Sequence, residues 1–383
     1  METLQILLVG GRQIPNFLGV MLLRPDRVHF LVSKDDKNAL DNLYETLAKM
    51  EGLVLPDKSQ LPDIDANDYQ ANIAALERIL SDYPNARVSF NLTCSSKVMA
   101  FAAYEVARHE DIKTFYVDTA KGRIIWLKGK EVEEMPIRIS IEQYLMAYGR
   151  KPKYKYKKDE DIFNRLTFSQ KAAAEAANVL ASGCGKYLGF LQRIRNTEGN
   201  GPRKVSISSE IDINLATLLA DLGIVDYSKD NRHFIIRSNE DWNFFKGDWL
   251  EIFVWHEVKK LQEQATEPFF DDIAIGLEIP MEGAKKEIDL ACIYRAQLIH
   301  CSCKTGRDSF NTKHLDELSA ISSLIGGNFC SRVFITDRML PNNAKSFLDQ
   351  AKQRKIVVVT GKELPKIGEI LKKQAEDPDY PRI

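Results

Sequence analysis

Hydrophobic residues gather along the chain in short, largely apolar runs separated by amphipathic stretches. One run covers residues 4 to 9 and ends in Gly10 and Gly11; others lie at 28 to 33 (VHFLVS), 86 to 92 (ARVSFNL) and 113 to 117 (KTFYV). Continuous runs of this length fit strands buried on both faces. The segments at 67 to 82 and 96 to 108 are helical in pattern. Their alternation with the strands predicts a parallel sheet covered by helices on both sides, an α/β domain. A strand at 122 to 127 (GRIIWL) and a helix near 140 to 148 complete this first domain, which is read as 1–148.

The pattern then breaks. GRKPKYKYKKDED, residues 149 to 161, is charged, carries a proline and has no apolar periodicity, so it reads as a linker. Its lysines alternate with Tyr154 and Tyr156, which suits either a solvated linker or a strip that meets phosphates and bases. Helices (QKAAAEAANVLA, INLATLLADLG) and a short strand (HFIIRS) follow between 165 and 240. The stretch 149–240 is therefore assigned as a linker with a small helical or winged-helix-like connector. From 241 to 383 the order is helix, strand, strand, helix, strand, helix, a second α/β domain.

Composition adds limits more than direction. A chain of 383 residues exceeds what one core usually supports, in keeping with two domains. With 53 Lys and Arg against 54 Asp and Glu, any affinity for nucleic acid has to come from local patches. The start, METLQILLVGG, lacks the basic flank, long apolar run and small-residue cleavage site of a leader, and no run of about 18 apolar residues occurs, so a cytoplasmic, non-membrane protein is expected. Cysteines at 94, 184, 292, 301, 303 and 330 form no CxxC pair, which suits a reducing compartment. Cys301 and Cys303 share a strand face and are read as buried thiols or, less readily, half of a zinc site.

Chemistry concentrates in the second domain. In DWLEIFVWHEVKKL, apolar residues at 250, 253, 254, 258 and 261 mark the buried face of a helix, with Glu251 at its border. In KKEIDLACIY, Asp289 alternates with Ile288 and Leu290 on a strand. In the next strand, QLIHCSCKTG, Ser302 and Lys304 point to one side and Cys301 and Cys303 to the other. A hairpin through 294 to 297 would bring Asp289 and Lys304 together, with Glu251 approaching from the helix. Magnesium or manganese prefers oxygen donors, which Glu251, Asp289 and the Cys303 carbonyl offer. Lys304 would steady charge on a phosphate or help acidify the attacking water, the makings of phosphodiester hydrolysis. The plainer reading is a surface Asp–Lys pair of little consequence.

This order resembles the PD-(D/E)XK nuclease superfamily, whose signature is a helix glutamate, a strand aspartate and a strand bearing (D/E)-x-Lys. Glu251, Asp289 and Lys304 match; Ser302 stands where the acidic residue belongs, and Glu278 or Glu287 could supply the missing carboxylate.

In the first domain, SFNLTCSSKVMAFAAYEVA runs from strand to helix through Asn91, Thr93, Cys94, Ser95, Ser96 and Lys97. Ser95 or Ser96 is a natural N-cap, and a helix N-terminus with a lysine beside it attracts phosphate, although a plain cap reads equally well. The first loop, Gly10-Gly11-Arg12-Gln13-Ile14-Pro15-Asn16, would meet it in the crevice at the strand ends. Neither GxGxxG nor a Walker loop is present, which disfavours hydride transfer and ATP hydrolysis. These loops resemble those of the CARF domain, the Rossmann-like sensor of CRISPR-associated proteins: GG-x-Q-x-P-N, and NLTCSSK in place of N-x-T-G-G-T-K.

Taken whole, the chain looks like the CARF-nuclease effectors of type III CRISPR systems. The resemblance implies a homodimer that binds a cyclic oligoadenylate, with cyclic tetra-adenylate the expected ring, and then cuts single-stranded DNA or RNA with a divalent metal. It assigns the ligand to Gly11, Gln13, Asn16, Asn91, Thr93, Ser95, Ser96 and Lys97, catalysis to Glu251, Asp289, Ser302 and Lys304, and the metal to Glu251, Asp289 and Cys303. Two other readings stay open: a sensor whose nuclease core has decayed at Ser302, and a regulator whose connector binds duplex DNA, against which the near-neutral charge counts.

Overall fold

The computed structural model describes residues 1–378 apart from 12, 120, 130, 157–158, 229, 231, 282–283 and 327–329. Arg12 of the first loop and two lysines of the charged segment, at 157 and 158, thus lie outside the described residues.

Chain contacts divide the molecule into two units, Met1–Pro152 with Ile293–Gln297, and Lys153–Cys292 with Leu298–Ile383. The first begins with β1 (Thr3–Val9), α1 (Ile14–Leu23), β2 (Arg27–Val32), α2 (Lys37–Leu47) and α3 (Tyr69–Asp82). It continues with β3 (Arg87–Asn91), α4 (Lys97–His109), β4 (Lys113–Asp118), β5 (Arg123–Trp126), β6 (Val132–Glu134) and α5 (Ile141–Ala147). The sheet runs β2-β1-β3-β4-β5-β6. Its first four strands are parallel and the last two antiparallel. Six of the seven β1 residues are buried, as a central strand covered on both faces requires. Leu4, Ile6 and Leu8 of β1 pack with Leu76 and Ile79 of α3 and Met99, Ala103 and Val106 of α4. Loops leaving β1 and β3, neighbours in the sheet whose chains depart in different directions, open on the crevice where such folds bind ligands.

In the second unit come β7 (Lys153–Tyr154), α6 (Gln170–Ser182), α7 (Leu188–Arg195), β8 (Arg203–Ser206), α8 (Glu210–Asp221), β9 (His233–Ile236) and α9 (Asn239–Asn243). After them follow α10 (Trp249–Glu263), β10 (Asp272–Met281), β11 (Ala284–Tyr294), β12 (Gln297–Lys304) and α11 (Thr312–Ile325). The last elements are β13 (Cys330–Thr336), α12 (Lys345–Gln353), β14 (Ile356–Val359) and α13 (Ile367–Glu376). The main sheet is β14-β13-β12-β11-β10-β7, and β8 with β9 forms a separate two-stranded ribbon. All seven residues of β13 are buried. Helix α10 packs on α6 and α13; alanines at 172, 173, 176 and 177 give α6 a small-residue buried surface.

By chain contacts residues 153–240 group with the second unit. One feature differs from the sequence reading. Lys153 and Tyr154, read as linker, pair antiparallel with Glu278 and Leu277 at the sheet edge. The alternating KYKY pattern has strand period, and charge masked it.

Candidate active site and ligand crevice

Strands β11 and β12 are joined by a two-residue turn, Arg295 and Ala296, both left-handed (φ 48° and 61°), as a tight hairpin requires. The pairing brings Asp289 against the end of β12. Its Oδ2 accepts from the Cys303 amide at 2.6 Å, from Lys304 Nζ at 3.3 Å and from Ser302 Oγ at 3.4 Å. Oδ1 receives no hydrogen bond from a described residue and remains available as a donor. Sequence spacing thus put Asp289, Ser302 and Lys304 together correctly. The Ser302 hydroxyl donates to the aspartate instead of adding a second negative charge.

Glu251 arrives from the first turn of α10, whose buried face is Leu250, Phe253, Val254 and Val258 with Trp249, Ile252 and Trp255. Immediately before it, Phe244–Asp248 form a π-helical turn, an irregularity frequent at functional sites. The exposed carbonyl of Lys246 in this turn accepts from Thr305 Oγ1 (2.9 Å) and Arg195 Nε (3.1 Å), fastening the approach of α10 to the loop after Lys304.

Charge at the site is unevenly matched. Asp289 pairs with Lys304, Asp248 with Arg165 at 2.5 Å, and Glu287 with Lys155 at 3.1 Å. Among the described residues Glu251 has no salt-bridge partner. Burial, and then the Asp289, Asp248 and Glu287 carboxylates, hold its pKa well above the usual carboxylate range, with Lys155 partly opposing. Burial also raises Asp289, against the pull of Lys304 and the Cys303 amide. For Lys304 burial works downward, but Asp289 and Glu251 outweigh it and keep the ammonium charged.

Such a donor set fits a hard divalent cation. No cluster of three His, Cys, Asp or Glu side chains able to hold a metal occurs among the described residues. Magnesium-type sites nevertheless need only one or two carboxylates, the rest being water or carbonyl oxygen. Glu251, Asp289 Oδ1 and the Cys303 carbonyl meet that description, and the cation would supply the positive charge that Glu251 lacks. Burial pushes the Cys301 and Cys303 thiols well above their usual pKa, as expected of thiols enclosed in a core.

Sequence reasoning missed several neighbours. Asp248 and Lys155 act on the Glu251 charge, and Arg165 pairs with Asp248 beside the Tyr156 ring; of these, only the lysine and tyrosine alternation was visible beforehand. On the far side of Lys304, Asp337 is fully buried among Arg195 (3.1 Å), Arg338 (3.5 Å) and the Gly306 amide (3.4 Å). It follows β13 directly, where Thr336 is the register partner of Lys304.

In the first unit, the two loops meet closely. A Cβ on Gly10 would lie 2.1 Å from the Cys94 carbonyl, so only glycine permits the approach. Gln13 donates to the Gly10 carbonyl, and Asn16 Nδ2 donates to Leu8 O at 2.9 Å and Gln13 Oε1 at 3.2 Å. Asn91 Nδ2 donates to Pro15 O (3.0 Å), while its Oδ1 accepts from Thr93 N and Oγ1. Ser96 caps α4 by accepting from Met99 N and donates to Ala66 O. These buried side chains chiefly shape the loops. Among the described residues Ser95 Oγ and Asn16 Oδ1 find no hydrogen-bond partner, and Lys97 and Gly11 are exposed; these groups remain open to a ligand.

The doubly wound unit with its two-loop crevice, and the strand–helix constellation of Glu251, Asp289 and Lys304, define a sensor domain joined to a nuclease domain. Residues 4–144 match the Card1 CARF domain and residues 238–377 the Card1-like endonuclease domain. The chain thus carries a CARF domain of the Card1 type followed by a Card1-like endonuclease domain. Among solved structures, it is similar to Can2 from Sulfobacillus thermosulfidooxidans in complex with cyclic tetra-adenylate, at 19% identity, TM-score 0.78 and 98% coverage of both chains. Protein VC1899 from Vibrio cholerae gives 19% identity, TM-score 0.77 and the same coverage. A type III CRISPR defence DNA nuclease activated by cyclic oligoadenylate gives 14% identity and TM-score 0.56, covering all of this chain and 53% of that one. Comparison with curated proteins gives no match. Among the described residues no helix is long and apolar enough to cross a membrane.

Proposed function

We propose that the protein is a cyclic oligoadenylate-activated, magnesium- or manganese-dependent endonuclease that cuts single-stranded DNA or RNA in type III CRISPR defence. The observation that carries this reading is Asp289 Oδ2 held by Lys304 and the Cys303 amide beside the cation-deficient Glu251, in a chain whose other domain is a CARF sensor. A cytoplasmic homodimer suits it, because a two-fold ring and an isologous dimer present the same loop on both sides of one axis.

Bound at Glu251, Asp289 and the Cys303 carbonyl, the metal would polarise the phosphate and acidify water. Lys304 places a fixed ammonium beside the reacting phosphate, where charge builds in the transition state. Ser302 and the Cys303 amide orient Asp289. In the crevice, Gly11, Ser95 and Lys97 face the ring, while Gln13, Asn16, Asn91, Thr93 and Ser96 hold the loops in shape around it.

The test is cleavage of labelled single-stranded DNA and RNA with and without cyclic tetra-adenylate. Cleavage is expected only with activator and magnesium or manganese, and EDTA should stop it. Absence of cleavage with any activator ring and either metal refutes the reading and favours a decayed sensor. Lys97→Ala is expected to move the activation curve to about tenfold higher activator, the cost of one charge-assisted phosphate contact. An unmoved curve removes Lys97 from the crevice.

A further inference from the structure

Lys155 lies just beyond β7, where its amide donates to Gly276 O at 3.0 Å. Gly276 has φ +62°, and a Cβ there would stand 3.1 Å from Lys155 Cδ and from Tyr156 Cε2. The strand next to β7 is thus shaped to let this segment lie flush against it. Lys155 Nζ reaches Glu287 Oε1 at 3.1 Å and sits 5.6 Å from the Tyr156 ring, which Arg165 approaches at 5.3 Å. The arrangement holds a lysine at the edge of the catalytic carboxylates.

Sheet order gives the position its meaning. Glu287 and Asp289 are two apart on β11 and share a face. Lys304 lies on β12, to one side of β11; β10, which carries Gly276, lies on the other, with β7 beyond it. The two lysines therefore flank the carboxylates from opposite sides. An anionic phosphodiester approaching Asp248, Glu251, Glu287 and Asp289 meets strong repulsion, and Lys304 is already engaged by Asp289. Lys155 is 37% exposed and its partner Glu287 44% exposed. Exposed pairs of this kind are weak, roughly 0–1 kcal/mol, and exchange readily for a better anion.

We propose that Lys155 binds the substrate, leaving Glu287 to grip a backbone phosphate on the side of Glu251 away from Lys304. This rests on the nuclease reading above and adds to it a residue from outside the superfamily signature. The phosphate would replace one carboxylate as the partner of an ammonium that stays charged throughout, so no proton moves.

The experiment uses the full chain carrying Asp289→Asn, so that cleavage does not intrude, with saturating cyclic tetra-adenylate and magnesium, and measures anisotropy of a fluorescent single-stranded oligonucleotide, as DNA and as RNA, across a salt series. Adding Lys155→Ala is expected to weaken binding about tenfold. It should also reduce the slope of log affinity against log salt by about 0.7, the loss of one phosphate contact to a single strand. Lys155→Arg should keep the slope. Glu287→Gln should leave binding equal or tighter, because it frees the lysine, whereas a purely structural ion pair would make both partners' variants lose binding alike. Unchanged binding and slope in Lys155→Ala, or equal losses in Glu287→Gln, overturn the proposal while leaving the nuclease reading intact. If the Asp289→Asn parent itself binds neither oligonucleotide, the nuclease reading fails and the proposal with it.

Discussion

Replacing Lys304 or Asp289 with alanine is expected to lower cleavage by at least about a hundredfold, the usual loss when one preorganised charge-stabilising group is removed. The two variants should fail for different reasons. Lys304→Ala removes the cation beside the reacting phosphate and leaves Asp289 with the Cys303 amide and Ser302 hydroxyl. Asp289→Ala removes an oxygen donor and strips those groups of their acceptor. Both variants should bind cyclic tetra-adenylate like the parent, because the crevice belongs to the first unit. Single-turnover cleavage at saturating activator, alongside activator binding by calorimetry, checks both halves. Retained cleavage in either variant would remove that residue from the site.

The second large effect falls on stability. Asp337→Ala is expected to cost roughly 3–5 kcal/mol, the typical result of taking one partner out of a buried ion pair. Asp337 is wholly buried and Arg195 only 11% exposed, so the guanidinium groups of Arg195 and Arg338 would lose their counter-charge where water cannot replace it. Among the described residues both arginines already bury a nitrogen without a partner, Nη1 of Arg195 and Nη2 of Arg338, which leaves them little tolerance. Urea unfolding followed by tryptophan fluorescence should show an earlier transition in the second unit, which contains Trp242, Trp249 and Trp255. Asp337→Asn, which keeps the shape, should lose less. A transition that does not move would mean the cluster is not a stabilising element.

Much of this architecture could be read from residue order. Largely apolar runs pointed to the parallel strands of the first unit, because burial on both faces leaves little room for polar positions. Alternation around Asp289 and Lys304 brought those two side chains together on one face, because strand geometry has a fixed period of two. Less legible was everything that depends on distant chain. Asp337 and Arg195 are 142 positions apart, and nothing local in either segment announces the other. Lys155 was obscured differently: its segment has strand period, but charge and a nearby proline look like a linker, and only the pairing partner on β10 decides the matter. In the CARF loops, residue types identified the crevice but not their division of labour. Hydrogen bonding separates Gln13, Asn16 and Asn91, which brace the turns, from Ser95 and Lys97, which remain available.

The outermost position of β7 has a consequence for solubility. Lys153 and Tyr154 pair antiparallel with Glu278 and Leu277 and so cover the outer edge of β10. A bare strand edge is a template on which another chain can pair, and a two-residue cover that carries a lysine blunts it.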